Sequence, residues 1–170
     1  MNIKKLMKKT FFQIFIIIIV FYGVSAFQQR NMLPVDDSPA PYFSLEQLNG
    51  EERFTIKSLQ GQTTVVYFFA PWCSICKLSM PNLQAALDDG DINAIAIALD
   101  YQNTQEVERF VADMKLTMPI LLGSTNTAKQ YKISAFPTYY VIDESLSITA
   151  RSMGYSSELG IKFRGKANAK

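Results

Sequence analysis

Cys73 and Cys76 are the only cysteines in the 170-residue chain, and they stand three positions apart in Ala70-Pro71-Trp72-Cys73-Ser74-Ile75-Cys76-Lys77. The apolar run Thr64-Val65-Val66-Tyr67-Phe68-Phe69 leads into them, and a helix-compatible segment, Leu78 to Leu87, leads out. Cys-x-x-Cys between a strand and a helix is the setting of a redox dithiol. A thiol reacts as its thiolate, and the free N–H groups and dipole of a helix's first turn favour that anion. With Cys73 there, Cys76 lies one turn on along the same face. The two α-carbons then fall within the roughly 4.4–6.8 Å that a disulfide tolerates. Cys73 can attack a partner disulfide, and Cys76 can attack the resulting mixed disulfide and release the product. Lys77 adds a positive charge, Ser74 and Ile75 sit between the sulfurs, and Pro71 and Trp72 offer an apolar rim beside an exposed sulfur.

The same two thiols have other uses. A structural disulfide here closes a very short loop and is a weak staple by chain entropy. A zinc site needs four ligands, and the chain has no His and no further Cys. A copper(I) dithiol site suits soft thiolates, with Met80 either assisting or filling core.

The elements around the cysteines follow from pattern. Residues 63–69 are apolar on both faces, as a central strand covered by helices on each side must be. Tyr42–Leu45 and Glu52–Ile56 flank a turn at Asn49-Gly50 and predict a hairpin. The helix after Cys73 contains Pro81, which should kink it. Its expected core side chains are Leu78, Leu83, Ala86 and Leu87, and Asp88-Asp89-Gly90 ends it with acids of the wrong sign for a helix C-terminus. A buried strand over 92–99, a helix over 105–114 capped by Asn103 or Thr104, and a short apolar piece at 119–122 follow. A short helix is expected over 125–131, strands over 139–142 and 147–152 as a hairpin, and a last helix from Ser156 to about Phe163, weakened by Gly160.

Charge and hydropathy divide the chain. Residues 1–10 carry four lysines and no acid, so the net charge of +2 leaves the remaining residues at −2. An acidic body argues against nucleic acid as a partner. Residues 11–27 form an apolar run, read as a transmembrane anchor or a signal segment. Its extension to Phe27 favours the anchor, whereas Val24-Ser25-Ala26 offers a cleavage site. Either way the lysines stay in the cytoplasm and the rest crosses to a compartment that permits disulfides. Residues 28–41 read as a Pro-containing linker, and residues 42–170 as one folded domain.

Trp72-Cys73-Ser74-Ile75-Cys76, Pro81 in the following helix, and Phe136-Pro137-Thr138 ahead of a hairpin resemble the thioredoxin fold. With the basic, apolar leader, the chain is similar to the membrane-tethered TlpA-like thiol-disulfide oxidoreductases, over roughly Asp37 to Arg164. The resemblance implies an α/β three-layer fold, a central mixed sheet flanked by helices. It implies Cys73 as nucleophile and Cys76 as resolving thiol, with Trp72, Phe136 and a cis Pro137 as the docking surface for substrate chains. Ser74, Ile75 and Lys77 would tune the thiols. Implied partners are cysteine-containing extracytoplasmic proteins, such as cytochrome c precursors or proteins damaged by oxidants, and a membrane thiol carrier that supplies electrons. No metal and no organic cofactor is expected, since the dithiol itself cycles. Two departures stand out: Tyr67 replaces the buried Asp of thioredoxins, and Ser79 replaces the Glu of many tethered relatives. Neither leaves a named base for Cys76. The alternative, a copper(I) delivery protein using the same thiolates, lacks the His that such relatives use. A peroxidase of the peroxiredoxin kind lacks Pro-x-x-x-Thr-x-x-Cys around Cys73.

Overall fold

The run Thr64–Phe69 forms a strand, β3, in which every residue is buried. Its neighbours explain this: β4 (Asn93–Ala98) lies parallel on one side and β6 (Thr138–Ile142) antiparallel on the other. The computed structural model describes residues 11–17, 19–20, 23, 29–50 and 52–167. They fall into two units, one within residues 1–31 and one within residues 32–170.

In the first unit the backbone is helical at residues 11–17, 19–20, 23 and 29, and Phe11, Phe15 and Ile17 are exposed. Among the described residues no helix is long and apolar enough to cross a membrane. The basic segment 1–10, the stretch Val24-Ser25-Ala26, Phe27 and Gln28 lie outside the described residues, as do Ile18, Phe21 and Tyr22 of the apolar run.

The second unit holds a seven-stranded mixed sheet. β1 (Ser44–Gln47) and β2 (Arg53–Thr55) form the expected hairpin, and with β5 (Ile120–Leu122) and β7 (Ile148–Met153) the strand order is β2-β1-β5-β4-β3-β6-β7. Side chains alternate off the two faces of β3. Val65, Tyr67 and Phe69 share a core with α1 (Ser74–Asp88), α2 (Thr104–Met114) and α4 (Glu158–Ala167). Val66 and Phe68 share the other core with the region of α3 (Thr125–Gln130), the 3-10 turn Ile56–Leu59, and Met32 and Phe43. Helical cover on both faces makes the fold the three-layer, thioredoxin-like α/β arrangement.

Local signals place the helices. Asn103, not Thr104, caps α2: its side chain accepts the Glu106 N–H, and the Glu106 carboxylate accepts the Gln102 N–H. Helix α1 continues through Pro81 to Asp88, and Gly90 follows at φ +70°. Leu83 and Ala86 are buried as expected, but Leu78 is 64% exposed. Leu78 keeps helical spacing yet sits on the solvent side of α1, beside the cysteines' end and away from the sheet. Helix α4 runs past Gly160 to Ala167. At Gly165 it crosses Ile92 so closely that a Cβ would stand 2.6 Å from Ile92 Cγ2.

Part of the expected spacer is held against the domain from Met32 onward. Met32 is buried, Leu33 donates its N–H to Tyr140 Oη, and Arg151 donates to the carbonyls of Met32 and Leu33. Pro39 bridges Ser147, and Ala40 N–H donates to the Leu146 carbonyl.

Candidate functional site

Strand β3 ends at Phe69, and Ala70, Pro71 and Trp72 carry the chain to Cys73, the N-cap of α1. An N-cap side chain faces the helix's orphan N–H groups. Here Cys73 Sγ accepts the Cys76 N–H at 3.1 Å. The two cysteines are joined as a disulfide with a Cα–Cα distance of 5.2 Å. Cys73 is the more accessible, at 5% exposure against 0% for Cys76. The sulfur expected to stand exposed is therefore recessed: the helix cap and the surrounding core take up most of its surface, and only its outer edge is open.

The rim above it is aromatic. Trp72 and Phe136 meet edge to face, with ring centroids 5.8 Å apart and planes at 83°. The Phe136–Pro137 peptide bond is cis, and the Pro137 carbonyl accepts the Gly154 N–H at 2.8 Å. Trp72, at 62% exposure, is anchored by its indole N–H, which donates to the Asp100 carbonyl at 3.0 Å and to Asp100 Oδ2 at 3.1 Å. Ser74, Ile75 and Lys77 all face solvent on the first turn of α1. Lys77 lines a groove of about 650 Å³ with Trp72, Asp100, Glu106, Arg109 and Asp113. Thus Cys73, Cys76, Trp72 and Phe136 come together at one end of β3 with Pro137 beside Phe136, and Lys77 lies to the side of them.

Asp100 escaped the sequence reading. It lies 28 residues from Trp72 and takes part because β4 ends beside β3; the clue was a polar residue directly after a buried strand, at the carboxyl edge where α/β sheets place their sites. Leu78 escaped as well, assigned to the core by spacing alone.

Behind the disulfide lie the rings of Tyr67 and Tyr139, with the Arg164 guanidinium beyond Tyr139. Tyr67 is wholly buried, and the Ser79 hydroxyl is the polar group that faces its Oη. Burial pushes its phenol well above the usual tyrosine range, with the neighbouring Ser79 hydroxyl opposing the shift. Tyr139 stacks on Tyr67 with centroids 6.0 Å apart, and its Oη accepts from Arg164 at 3.0 Å. Ser79 accepts the Ser156 N–H at 3.3 Å and donates to the Ser156 carbonyl at 3.4 Å. Among the described residues one carboxylate is buried, Asp143, and it is held in the β6–β7 turn by Ser145 and Ser147. No group of three or more His, Cys, Asp or Glu among the described residues could hold a metal ion.

A match to the AhpC/TSA family runs over residues 37–151 and takes in both cysteines, the rim and the sheet between them. The chain belongs to the AhpC/TSA family. It is 31% identical over 118 residues to sporulation thiol-disulfide oxidoreductase A of Bacillus subtilis, covering 66% of this chain and 70% of the relative. It is 30% identical over 131 residues to the thiol-disulfide oxidoreductase ResA of Oceanobacillus iheyensis, covering 73% of this chain and 68% of that one. The crystal structure of StoA from Bacillus subtilis superposes with a TM-score of 0.64 at 28% identity, over 77% of this chain and 98% of that one. The fold expected from the motif resemblance, and the oxidoreductase kinship, both hold.

Proposed function

We propose that this protein thiol-disulfide oxidoreductase works outside the cytoplasm on cysteine-containing partner proteins, with residues 11–27 as its membrane anchor and residues 1–10 on the cytoplasmic side. Relatives named thiol-disulfide oxidoreductases support the activity class. The observation that carries the division of labour is the unequal seating of the two sulfurs, Cys73 at the helix cap and open at one edge, Cys76 fully buried.

In the reduced protein the Cys73 thiolate is the nucleophile, stabilised by the dipole of α1 and by the Cys76 N–H that already points at its sulfur. It attacks one sulfur of a partner disulfide; that S–S bond breaks, the partner's other sulfur leaves as thiolate, and Cys73 is joined to the partner. Cys76 then loses its proton and attacks Cys73 Sγ. The mixed disulfide breaks, the Cys73–Cys76 bond forms, and the partner leaves with two electrons gained. Trp72, Phe136 and Pro137 receive the partner chain beside the sulfur, and Ser74, Ile75 and Lys77 set its polar and apolar surroundings. A membrane thiol carrier returns the two electrons, so no organic cofactor is required.

The membrane position rests on the sequence pattern of residues 1–27, and cytochrome c precursors or oxidant-damaged proteins remain the substrate classes implied by resemblance. The test is a pair of variants in the full chain. Cys73→Ser abolishes exchange with a partner disulfide, and Cys76→Ser accumulates mixed disulfides that resolve on non-reducing gels. Turnover retained by Cys73→Ser overturns the assignment. A copper(I) carrier would instead purify with one metal per dithiol and fail to reduce a protein disulfide. Membrane fractionation of the mature chain checks the anchor, and a soluble species starting at Phe27 would overturn it.

A further inference from the structure

The rim does not stop at Pro137. The Pro137 carbonyl accepts the Gly154 N–H at 2.8 Å, so the turn that follows β7 lies against the docking proline. The same turn is fastened to α1. Asn82 Nδ2 donates to Tyr155 Oη at 3.1 Å and to the Ser156 carbonyl at 3.0 Å. A carbonyl only accepts, which fixes Nδ2 as the atom that faces it. Ser79 of α1 adds a second tie by accepting the Ser156 N–H. Contacts therefore run from Trp72 to Phe136, from Pro137 to Gly154 and from Tyr155 to Asn82, and so return to the helix capped by Cys73. On this return side the exposed side chains are apolar. Ile75, Leu78 and Asn82 share one face of α1 by their spacing, and Ile75, Leu78 and Tyr155 are exposed. Lys77, about 200° of helical turn on from Ile75, lines the charged groove instead. Tyr155 is 59% exposed, yet its hydroxyl is held.

We propose that Tyr155 is a specificity-determining residue for partner docking and that Asn82 is the residue that positions it: the amide fixes the Gly154–Ser156 turn against α1, steadies Pro137 through Gly154, and stands the Tyr155 ring as a wall for an apolar side chain of the partner. An exposed ring that had to be ordered on binding would take that entropy out of the partner's affinity. Asn82 orders Tyr155 beforehand. Asn82 lies about 13 Å along α1 from Cys73, at 1.5 Å per residue, and an extended chain covers that span in about four residues. The partner is thus an extended segment with an apolar residue within about four positions of its cysteine. Its path is continuous with the rim of Trp72, Phe136 and Pro137.

This inference rests on the proposed oxidoreductase activity, and the experiment separates the two. The reduced full chain in detergent is assayed against a disulfide-bridged peptide with Leu at the read position, the same peptide with Ser there, and hydroxyethyl disulfide, which has no chain to dock. Reduction of hydroxyethyl disulfide establishes the dithiol chemistry, and reduction of none of them overturns both readings. The wild-type chain is expected to prefer the Leu peptide about three- to tenfold in kcat/KM, the worth of a partly buried Leu, and to do so through KM. Tyr155→Ala brings that preference to about one. Asn82→Leu keeps the bulk and removes the amide. It lowers kcat/KM for the Leu peptide relative to hydroxyethyl disulfide by about three- to tenfold, the worth of one net hydrogen bond. Tyr155→Phe deletes only the hydroxyl and gives a smaller fall, and added to Asn82→Leu it gives no further fall, because the two share one bond. Asn82→Ala repeats the measurement should the leucine not be accommodated. A missing preference in the wild-type chain, or one that survives Tyr155→Ala, overturns the role of Tyr155. Equal losses on peptide and hydroxyethyl disulfide, or full additivity with Tyr155→Phe, mark a merely structural role and overturn the assignment to Asn82.

Discussion

The two ends of α1 solve opposite electrostatic problems by different means. At the N-terminus a single sulfur occupies the cap, and the helix itself supplies the field, with the Cys76 N–H 3.1 Å from Cys73 Sγ. At the C-terminus the sequence places Asp88 and the cap residue Asp89, followed by Asp91, where the dipole disfavours negative charge. The remedy comes from another element. Lys162 of α4 reaches Asp89 at 2.6 Å, Asp91 at 2.9 Å and Glu158 at 2.6 Å, and Lys166 also pairs with Asp91. The ion pairs that fasten α4 thus stand at the opposite end of α1 from the sulfur. The helix between the ends couples them only through packing.

That separation can be broken in the middle. Leu83 is fully buried under α1, within the core shared by both ends. Leu83→Ala is expected to lose about 2–5 kcal/mol of stability, read from urea unfolding, and to slow exchange as well because the cap loses its footing. A large loss of stability with unaltered exchange would show the cap to be held by the β3–α1 turn alone. The next largest effect is confined to the far end. Lys162→Met leaves three carboxylates without their shared cation, so the melting midpoint falls by more than in Lys166→Met, while the rate of partner disulfide reduction stays at the wild-type value.

The contrast between the ends also marks what the sequence could disclose. Cys73 and Cys76 stood out because spacing, strand before and helix after are all local, and β3 was legible because an unbroken apolar run suits only a strand covered on both faces. The mismatch of Asp88 and Asp89 with the helix dipole was legible too, but its remedy was not: Lys162 lies 73 residues from Asp89 and meets it only once α4 is docked. The extension of α4 from about Phe163 to Ala167 has the same origin, since ion pairs from outside the helix and the close crossing at Gly165 outweigh a weak propensity. Leu78 was misplaced because spacing identifies a helix face without saying whether that face meets the sheet. Residues 32–41 looked like a spacer because Pro and Asp dominate them, and the groups that hold them, Tyr140 and Arg151, are more than a hundred residues away.

Acid should undo the far end in a defined direction. The Lys166 and Lys162 ammonium groups hold the Asp91 carboxyl below its usual range. A carboxylate lowered on folding adds stability that is fully present above its unfolded value and is lost as pH falls through its folded value. Lys162, raised above the usual lysine range by Asp89, Glu158 and Asp91, contributes below the ordinary lysine range for as long as those carboxylates stay ionised, and on the alkaline side loses its contribution only when it titrates itself. The cluster is therefore intact at neutrality and fails from the acid side first. Melting midpoints followed downward through the carboxylate range should show a drop that Asp91→Asn flattens. An unchanged acid limb in Asp91→Asn would mean that other carboxylates govern it.

The smallest expected effect sits at the sulfur end and tests whether the helix cap there works apart from the rim above it. Trp72→Phe preserves a ring to meet Phe136 and deletes the indole N–H that donates to Asp100. Trp72 is well exposed, so water takes over much of what Asp100 loses, and the change is expected to fall at or below about 1 kcal/mol. Because the bond fixes the rim and does not touch the cap, the loss should appear as a rise of a few-fold in KM for a disulfide-bearing peptide, with kcat and the reduction potential unmoved. A shifted potential would show that the rim and the helix cap are one unit, and that the field at Cys73 is set by the Asp100 carboxylate through Trp72 as well as by the helix beneath it.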